Sequence, residues 1–200
     1  MRLLIIRFFD IFIAFFGILF LLPFLSLIGV LIKIDSNGEI LFKQIRVGFK
    51  NCDFELLKFR TMFTNSDKSK LLTIGERDNR ITRLGFYLRK YKIDELPQLF
   101  NVLKGNMSLV GPRPEVRKYV NMYSDEQIKI LSVKPGLTDY ASIFYKSENN
   151  ILSKSQNPEY TYINEIIPEK IKLNLKYIQN PSVYNYFKII FLTLYSIFKT

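Results

Sequence analysis

The stretch IFIAFFGILFLLPFLSLIGVLI, residues 11 to 32, contains no charged residue. As an α-helix it would extend for about 33 Å at roughly 1.5 Å per residue, which is long enough to cross a bilayer. It lacks the short apolar core and small-residue cleavage site of a signal peptide, so we expect the segment to be retained. Pro23, near its middle, removes a backbone hydrogen bond and clashes with the preceding turn, which predicts a kink or a break.

Charged residues on both sides of this segment leave its topology open. Arg2 and Arg7 precede it, and Lys33, Lys43 and Arg46 follow it. Because basic residues favour the cytoplasmic side of a membrane, both ends are drawn toward the cytoplasm. A re-entrant hairpin satisfies both flanks, whereas an ordinary kinked span would place the short N-terminus outside.

Composition narrows the chemistry. The chain has 200 residues, a formal net charge of +11 and a pI near 9.6, which favours anionic partners such as nucleic acid, a phospholipid surface or a phosphorylated substrate. Cys52 is its single cysteine and it has no histidine. An intrachain disulfide, Ser-His-Asp catalysis and Cys-His catalysis are therefore excluded. A bound metal would be magnesium or manganese, held by carboxylates and substrate phosphates.

Beyond the apolar segment, the sequence predicts an α+β fold that is mostly helical. A turn at Ser36-Asn37-Gly38 precedes an alternating strand at residues 40–47, and DFELLKFRTM at residues 53–62 is typical of a second strand. We expect the two strands to pair as a small hairpin. The stretch TNSDKSKLLTIGERDNR, residues 64–80, has no apolar period and predicts a loop long enough to act as a lid.

Helical spacing of apolar residues returns in the second half of the chain. One helix is expected at residues 96–103, with Asp94 as its N-terminal cap and Gly105 as its C-terminal cap. The stretch KPGLTDY, residues 134–140, is typical of a turn. The last helical pattern, residues 184–198, suits either a core-facing helix or an amphipathic helix in the membrane interface. Further helices are expected at residues 81–90, 124–131 and 164–178.

Two adjacent carboxylates, Asp94 and Glu95, allow two interpretations. They could serve only as a helix cap and as a favourable partner of the helix dipole. Arg89 precedes them, however, and Arg113 follows on the GPRP stretch, where two prolines restrict the backbone. Carboxylates flanked by guanidinium groups suit a phosphate site, where a divalent cation would offset the repulsion. An aspartate neutralised in this way can attack phosphorus.

Three motifs carry a resemblance to a known family. KFRTM, DELPQLFNVLKGNMSLVGPRPE and KPGLTDYAS, in this order and spacing, resemble the bacterial sugar transferase family, the monotopic phosphoglycosyl transferases. The resemblance covers nearly the whole chain. It implies transfer of a sugar phosphate from a UDP-sugar to membrane polyprenol phosphate with release of UMP, as the first lipid-linked step of a surface glycan.

The resemblance also implies roles for individual residues. Asp94 would be the nucleophile and Glu95 its dyad partner, while Arg89 and Arg113 would bind phosphate. Lys58 or Arg60 would supply a further cationic contact. The implied cofactor is Mg²⁺, which would bridge the dyad and the pyrophosphate, with Glu95 as either a metal ligand or a proton carrier.

For the membrane segment, the resemblance implies a helix-break-helix at residues 1–34 that enters and leaves one leaflet at Pro23. Residues 35–200 would form a catalytic domain on the cytoplasmic face of the bacterial inner membrane. We expect a catalytic core without the additional transmembrane helices of larger relatives.

Two departures from the family pattern matter. Leu22-Pro23 replaces the common Ser-Pro, so a serine hydroxyl is not expected to support the break. PGLTDYASIFYKSE replaces the usual Pro-Gly-Ile-Thr-Gly-Trp start, so the identity of the sugar does not carry over.

Two other functions remain as alternatives. A membrane-anchored basic protein that binds nucleic acid or acidic lipid without catalysis would explain the charge, but the lysines are dispersed and no nucleic-acid motif occurs. A glycosyltransferase would release UDP, but the Asp-x-Asp pattern that commonly holds its metal is absent from the sequence. We therefore expect no nucleic-acid partner.

Overall fold

The structure, a computed structural model, describes residues 2–64 and 78–198. The expected α+β, mostly helical architecture is confirmed. Most of the loop predicted at residues 64–80, including its role as a lid, lies outside the described residues. The helices are α1 (Arg2–Asp35), α2 (Arg83–Lys90), α3 (Gln98–Lys104), α4 (Arg117–Val120), α5 (Asp125–Ile128), α6 (Tyr140–Phe144), α7 (Glu148–Lys154), α8 (Pro158–Thr161), α9 (Ile167–Gln179) and α10 (Val183–Phe198), and the strands are β1 (Leu41–Val47), β2 (Asp53–Phe59), β3 (Ser108–Val110) and β4 (Gly136–Thr138).

The apolar segment forms one helix, α1, with Pro23 inside it. By length and composition α1 could cross a membrane. The Ser26 hydroxyl donates to the Leu22 carbonyl at 2.9 Å, a bond within the helix. The re-entrant path of α1 stays a prediction.

One face of α1 packs on the rest of the molecule along the whole helix. Its buried residues fall at helical spacing in two groups, one toward each end of the helix; they are Ile6, Asp10 and Ala14, and Leu25, Ile28, Gly29 and Ile32. The opposite face exposes large apolar side chains, among them Phe8, Phe12, Phe16 and Phe20. An apolar surface of this extent marks a contact with a membrane or a partner.

Polar contacts fix the N-terminal half of α1 to the molecule. The buried Asp10 Oδ1 accepts hydrogen bonds from the Ser108 hydroxyl at 3.0 Å, the Leu109 amide at 2.8 Å and the Tyr186 hydroxyl at 2.9 Å. One carboxylate therefore joins α1, β3 and α10. The Arg7 guanidinium donates to backbone carbonyls at the end of α3, those of Val102, Leu103 and Met107.

The C-terminal end of α1 is held in the same way. The buried Arg60 guanidinium donates to the carbonyl of Ile32, in the last turn of α1, and to those of Ser36 and Asn37, which directly follow the helix. Asp35 in turn accepts from the Leu84 amide in the first turn of α2 at 3.3 Å. Both ends of α1 are thus bound to one folded body. The division at residue 34 into a membrane segment and a catalytic domain stays a prediction.

The hairpin expected from the sequence is confirmed. Strands β1 and β2 pair antiparallel, with Leu41 opposite Phe59 and Val47 opposite Asp53. Helix α3 docks beside β2 through the buried Asn101 side chain, whose amide nitrogen donates to the Glu55 carbonyl and whose oxygen accepts from the Leu57 amide. The predicted cap at Gly105 is also confirmed, since this residue ends α3 with a φ of 88°.

A second, parallel pair of strands was not expected. The turn predicted at KPGLTDY is wrong for Gly136–Thr138, which forms β4 and pairs with β3. The strands approach so closely that a Cβ at Gly136 would lie 2.1 Å from the Gly111 nitrogen. Because the carboxyl ends of parallel strands lie at one edge, the segments after β3 and β4 are brought together there.

The expected helices near the C-terminus are present, with shifted boundaries. The pattern at residues 164–178 corresponds to α9, preceded by a π-helical turn at Tyr162–Ile166. Helix α10 buries Tyr186 and Ile189 against α1 and exposes Tyr184 and Phe191. Its two faces therefore differ as the sequence predicts for an amphipathic helix.

Candidate active site

The two adjacent carboxylates lie in a 3-10 turn, Ile93–Glu95, two residues before α3. Lys92 introduces this turn in the left-handed conformation, with φ at 58°. The cap predicted for Asp94 is wrong, because Leu96 and Pro97 intervene and no side chain caps α3. A strained residue next to two buried acids indicates a functional site.

Asp94 is 7% exposed, and its Oδ1 accepts no hydrogen bond from the residues that the structure describes. Burial, and then the charge of Glu95, raise the pKa of the Asp94 carboxyl. A buried, unpaired carboxylate oxygen is costly for a protein to maintain. Asp94 thus carries a buried oxygen that none of the described residues holds.

Glu95 has the opposite surroundings. Its Oε1 accepts from the Lys58 ammonium at 3.4 Å and from the Arg113 guanidinium. Burial alone would raise the pKa of Glu95, but Arg113 and Lys58 outweigh it and hold that pKa well below its usual range. Burial likewise lowers the pKa of Lys58, against the opposing charge of Glu95. Glu95 is therefore an ionised carboxylate fixed between two cations.

The GPRP stretch is held in place from several sides. The Asp139 Oδ2 accepts from the Arg113 amide at 3.0 Å, and the Pro114 carbonyl accepts from Arg46 at 3.1 Å. Glu115, the next residue, accepts from Arg46 at 3.0 Å and from the Tyr162 hydroxyl at 2.5 Å. The stiff loop predicted from the two prolines is thus fixed to β1, β4 and the turn before α9.

A cavity of about 590 Å³ opens beside these groups. This volume falls within the range of small-molecule sites. Arg89, Lys92, Glu95 and Arg113 line one part of it, while Glu115, Tyr162 and Lys170 are among the residues that line another. Cationic, anionic and aromatic groups therefore converge on a space large enough for a nucleotide-sized ligand.

The structure brings together most of the site residues predicted from the sequence. Arg89, Glu95 and Arg113 line the cavity, and Asp94 and Lys58 adjoin it through Glu95. Arg60 is placed elsewhere, because its guanidinium donates to carbonyls at the end of α1. Its predicted phosphate contact has no support from this position. Pro23 lies in α1 and contributes no group to the cavity.

Sequence reasoning missed several polar residues near the site: Arg46, Glu115, Asp139, Tyr162 and Asn174. Asp139 lies inside the KPGLTDY motif, and Glu115 directly follows the second proline. Both therefore belong to stretches that the sequence analysis had already singled out. Their placement depends on pairings distant in sequence, above all that of β3 with β4, and no local periodicity reports such a pairing.

Asp94 and Glu95 are the candidate ligands for a metal. Across residues 2–64 and 78–198, no group of three or more acidic, histidine or cysteine side chains is arranged to hold a metal. Mg²⁺ commonly uses one or two carboxylates and completes its shell with water and substrate phosphates. The unpartnered Asp94 Oδ1 and the adjacent Glu95 fit this donor set.

Comparison with known proteins gives consistent results. One protein-family model, described as bacterial sugar transferase, matches residues 1–200. The undecaprenyl-phosphate glucose phosphotransferase of Komagataeibacter xylinus is 37% identical over 195 residues, which cover 94% of this chain and 35% of that protein.

Two further relatives are similar. A UDP-N-acetylgalactosamine-undecaprenyl-phosphate N-acetylgalactosaminephosphotransferase of Aeromonas hydrophila is 43% identical over 140 residues, 68% of this chain and 33% of that protein. A UDP-glucose:undecaprenyl-phosphate glucose-1-phosphate transferase of Caulobacter vibrioides is 35% identical over 181 residues, 89% of this chain and 64% of that protein. The chain thus spans about a third of the length of the first two relatives and nearly two thirds of the third.

Proposed function

This chain belongs to the bacterial sugar transferase family, and on that premise we propose that it transfers a sugar 1-phosphate from a UDP-sugar to polyprenol phosphate. The names of its relatives describe sugar phosphotransferases that act with undecaprenyl phosphate. The observation that carries the proposal is the buried, unpartnered Oδ1 of Asp94 beside Glu95, which two cations already hold.

Asp94 is the nucleophile in this proposal. Its Oδ1 attacks the phosphorus that bears the sugar, the bond from that phosphorus to the UMP oxygen breaks, and UMP leaves. The product is an acyl phosphate on Asp94. An oxygen of polyprenol phosphate then attacks the same phosphorus, which frees the Asp94 carboxylate and yields the sugar on a lipid diphosphate.

Cationic side chains offset the charge of the donor. Arg113 and Lys58 compensate Glu95, and Arg89 lines the cavity where the pyrophosphate would bind. Mg²⁺, held by Asp94 and Glu95 together with pyrophosphate oxygens, would supply further charge neutralisation. Glu95 then acts chiefly by holding Arg113 and Lys58 at the site.

The membrane supplies the acceptor. The exposed apolar faces of α1 and α10 would lie against the lipid, with the cavity at the cytoplasmic face of the bacterial inner membrane. The contacts of both α1 ends with one folded body support a re-entrant course over a span. An acceptor phosphate at the lipid surface would then lie close to the cavity.

The nucleotide product tests the reaction. The protein is incubated with a panel of UDP-sugars, polyprenol phosphate and Mg²⁺, and released UMP and UDP are separated. We expect UMP with at least one donor, and release of UDP instead would indicate glycosyl transfer.

The nucleophile is tested with Asp94→Asn. We expect this substitution to abolish UMP release while the protein stays folded and membrane-bound, because an amide cannot form the acyl phosphate. Asp125→Asn, at an exposed acid in the first turn of α5, is the matched control and should keep wild-type turnover. Normal UMP release by Asp94→Asn would exclude Asp94 as the nucleophile.

A further inference from the structure

Asp139 is a buried acid directly after β4, and both of its oxygens are engaged. It is 2% exposed. Its Oδ1 accepts from the Ser142 amide at 2.5 Å and caps α6. Its Oδ2 accepts from the Arg113 amide at 3.0 Å and from the Asn174 side-chain amide at 2.6 Å. Three neutral donors from three parts of the chain therefore converge on one carboxylate.

No neighbouring backbone amide can replace the hydrogen bond from the Arg113 amide to Asp139. Pro112 and Pro114 lack an N–H, so the Arg113 amide is the one backbone donor between them. The Pro112 carbonyl also accepts from the Gly136 amide at 3.0 Å. The carbonyl of the Pro112–Arg113 peptide is thus held by β4, and its N–H by Asp139 directly after β4.

Asn174 connects this anchor to a distant helix. It is buried in α9, and its amide donates to the Asp139 oxygen that holds Arg113. Because this bond restrains the Asp139 carboxylate, it also restrains the Arg113 amide. The other end of Arg113, its guanidinium, lies on Glu95.

We propose that Asp139 and Asn174 are positioning residues that hold the Arg113 backbone, so that its guanidinium meets Glu95 and the donor pyrophosphate. The inference rests on the proposed function for its catalytic consequence. Neither residue touches the reacting phosphorus in this proposal. A guanidinium binds two oxygens of a phosphate through two parallel N–H bonds. A small displacement of the Arg113 backbone would misalign these bonds.

Two substitutions separate this role from the capping of α6. In Asp139→Ser, a serine hydroxyl can still cap α6 but is too short to reach both Arg113 and Asn174. In Asn174→Ala, the α6 cap is untouched. We expect each to lower kcat for UMP release by about tenfold or more, as loss of a charge-assisted hydrogen bond predicts. Ser124→Ala, which removes the exposed cap of α5, is the matched control and should keep wild-type kcat.

Coupling with Arg113 distinguishes positioning from a general structural effect. If Asp139 acts through Arg113, Asp139→Ser should cost little further activity in an Arg113→Ala background. Losses that multiply independently would overturn the proposal. So would wild-type kcat in both Asp139→Ser and Asn174→Ala.

Hydrogen exchange provides a readout that does not depend on turnover. In peptides that contain residues 111–115, exchange of the Arg113 amide should be faster in Asp139→Ser and Asn174→Ala than in the wild type or Ser124→Ala. Unchanged exchange would overturn the anchoring contact. If the wild type released UMP from no donor, the proposed function would fail, and the exchange rates would still decide whether Asp139 anchors Arg113.

Discussion

Asp94 and Glu95 are neighbours along the chain, yet their surroundings separate them chemically. Burial and the adjacent charge raise the pKa of Asp94, whereas Arg113 and Lys58 hold the pKa of Glu95 far below its usual range despite its burial. Pairs of acids whose environments differ in this way commonly divide a catalytic task. The unpartnered oxygen favours Asp94 for attack on phosphorus, and the ion pairs favour Glu95 for holding cations.

Removal of the Glu95 charge tests this division through stability. Glu95→Gln would leave Lys58 and Arg113 without their carboxylate, so we expect the free energy of unfolding to fall by about 1–3 kcal/mol. Urea-induced unfolding measures the change. Glu126→Gln removes an exposed pair with Lys129 and should change stability by less than about 0.5 kcal/mol. Equal losses for both variants would contradict the account of Glu95.

At the scale of single residues, the sequence predicted most of the side chains that the structure brings together at the candidate site, but not the contacts of each. The acid pair and Arg113 could be found, because prolines and a clustered charge pattern are local signals. Lys58 and Arg60 could not be told apart, although they lie two residues apart. Their directions depend on where β2 ends and on α1 ending beside it, which are tertiary facts.

Among the elements, β3 and β4 have the largest effect on the site. Their parallel pairing brings the Arg113 loop to Asp139. Hairpin β1–β2 was predictable because its strands alternate and a short connection joins them. Strand β4 was not, because three residues that begin with a glycine and follow a proline carry the local signature of a turn.

The close approach of β3 and β4 gives a test at this scale. Gly136→Ala would place a Cβ 2.1 Å from a Gly111 backbone atom, so we expect a loss of about 1–3 kcal/mol and a large drop in UMP release. In the control, Gly17→Ala, the new Cβ would meet only a Leu99 methyl at 3.6 Å. That variant should be as stable as the wild type or slightly more stable. A wild-type melting temperature for Gly136→Ala would contradict the close packing.

For the molecule as a whole, the contacts at the two ends of α1 bear on the predicted membrane topology. Arg7 binds carbonyls near the end of α3, and Arg60 binds carbonyls at the end of α1 itself. These contacts favour the re-entrant course proposed above, in which both ends of α1 lie on one side of the bilayer. The charge pattern of the sequence left the hairpin and the span open, since it reports flanks and not tertiary contacts.

Thiol labelling tests this topology in intact cells. Leu3→Cys, at a position that is 62% exposed, is made in a Cys52→Ser background, and native Cys52, which is exposed, serves as the matched control. A membrane-impermeant maleimide should label neither thiol until the inner membrane is permeabilised, and then both. Labelling at position 3 alone in intact cells would establish a span with its N-terminus outside.

The Asp10 carboxylate has a consequence for how such proteins diversify. Its three donors come from β3 and α10, while the acceptor comes from the apolar helix. Suppose that recombination joined the rest of this chain to an unrelated apolar helix that lacks the acid. The Ser108 and Tyr186 hydroxyls and the Leu109 amide would then be buried without a hydrogen-bond acceptor. The apolar helix and the rest of the chain are therefore expected to be inherited as one unit, and exchange between relatives should succeed only where the acid and its donors are transferred together.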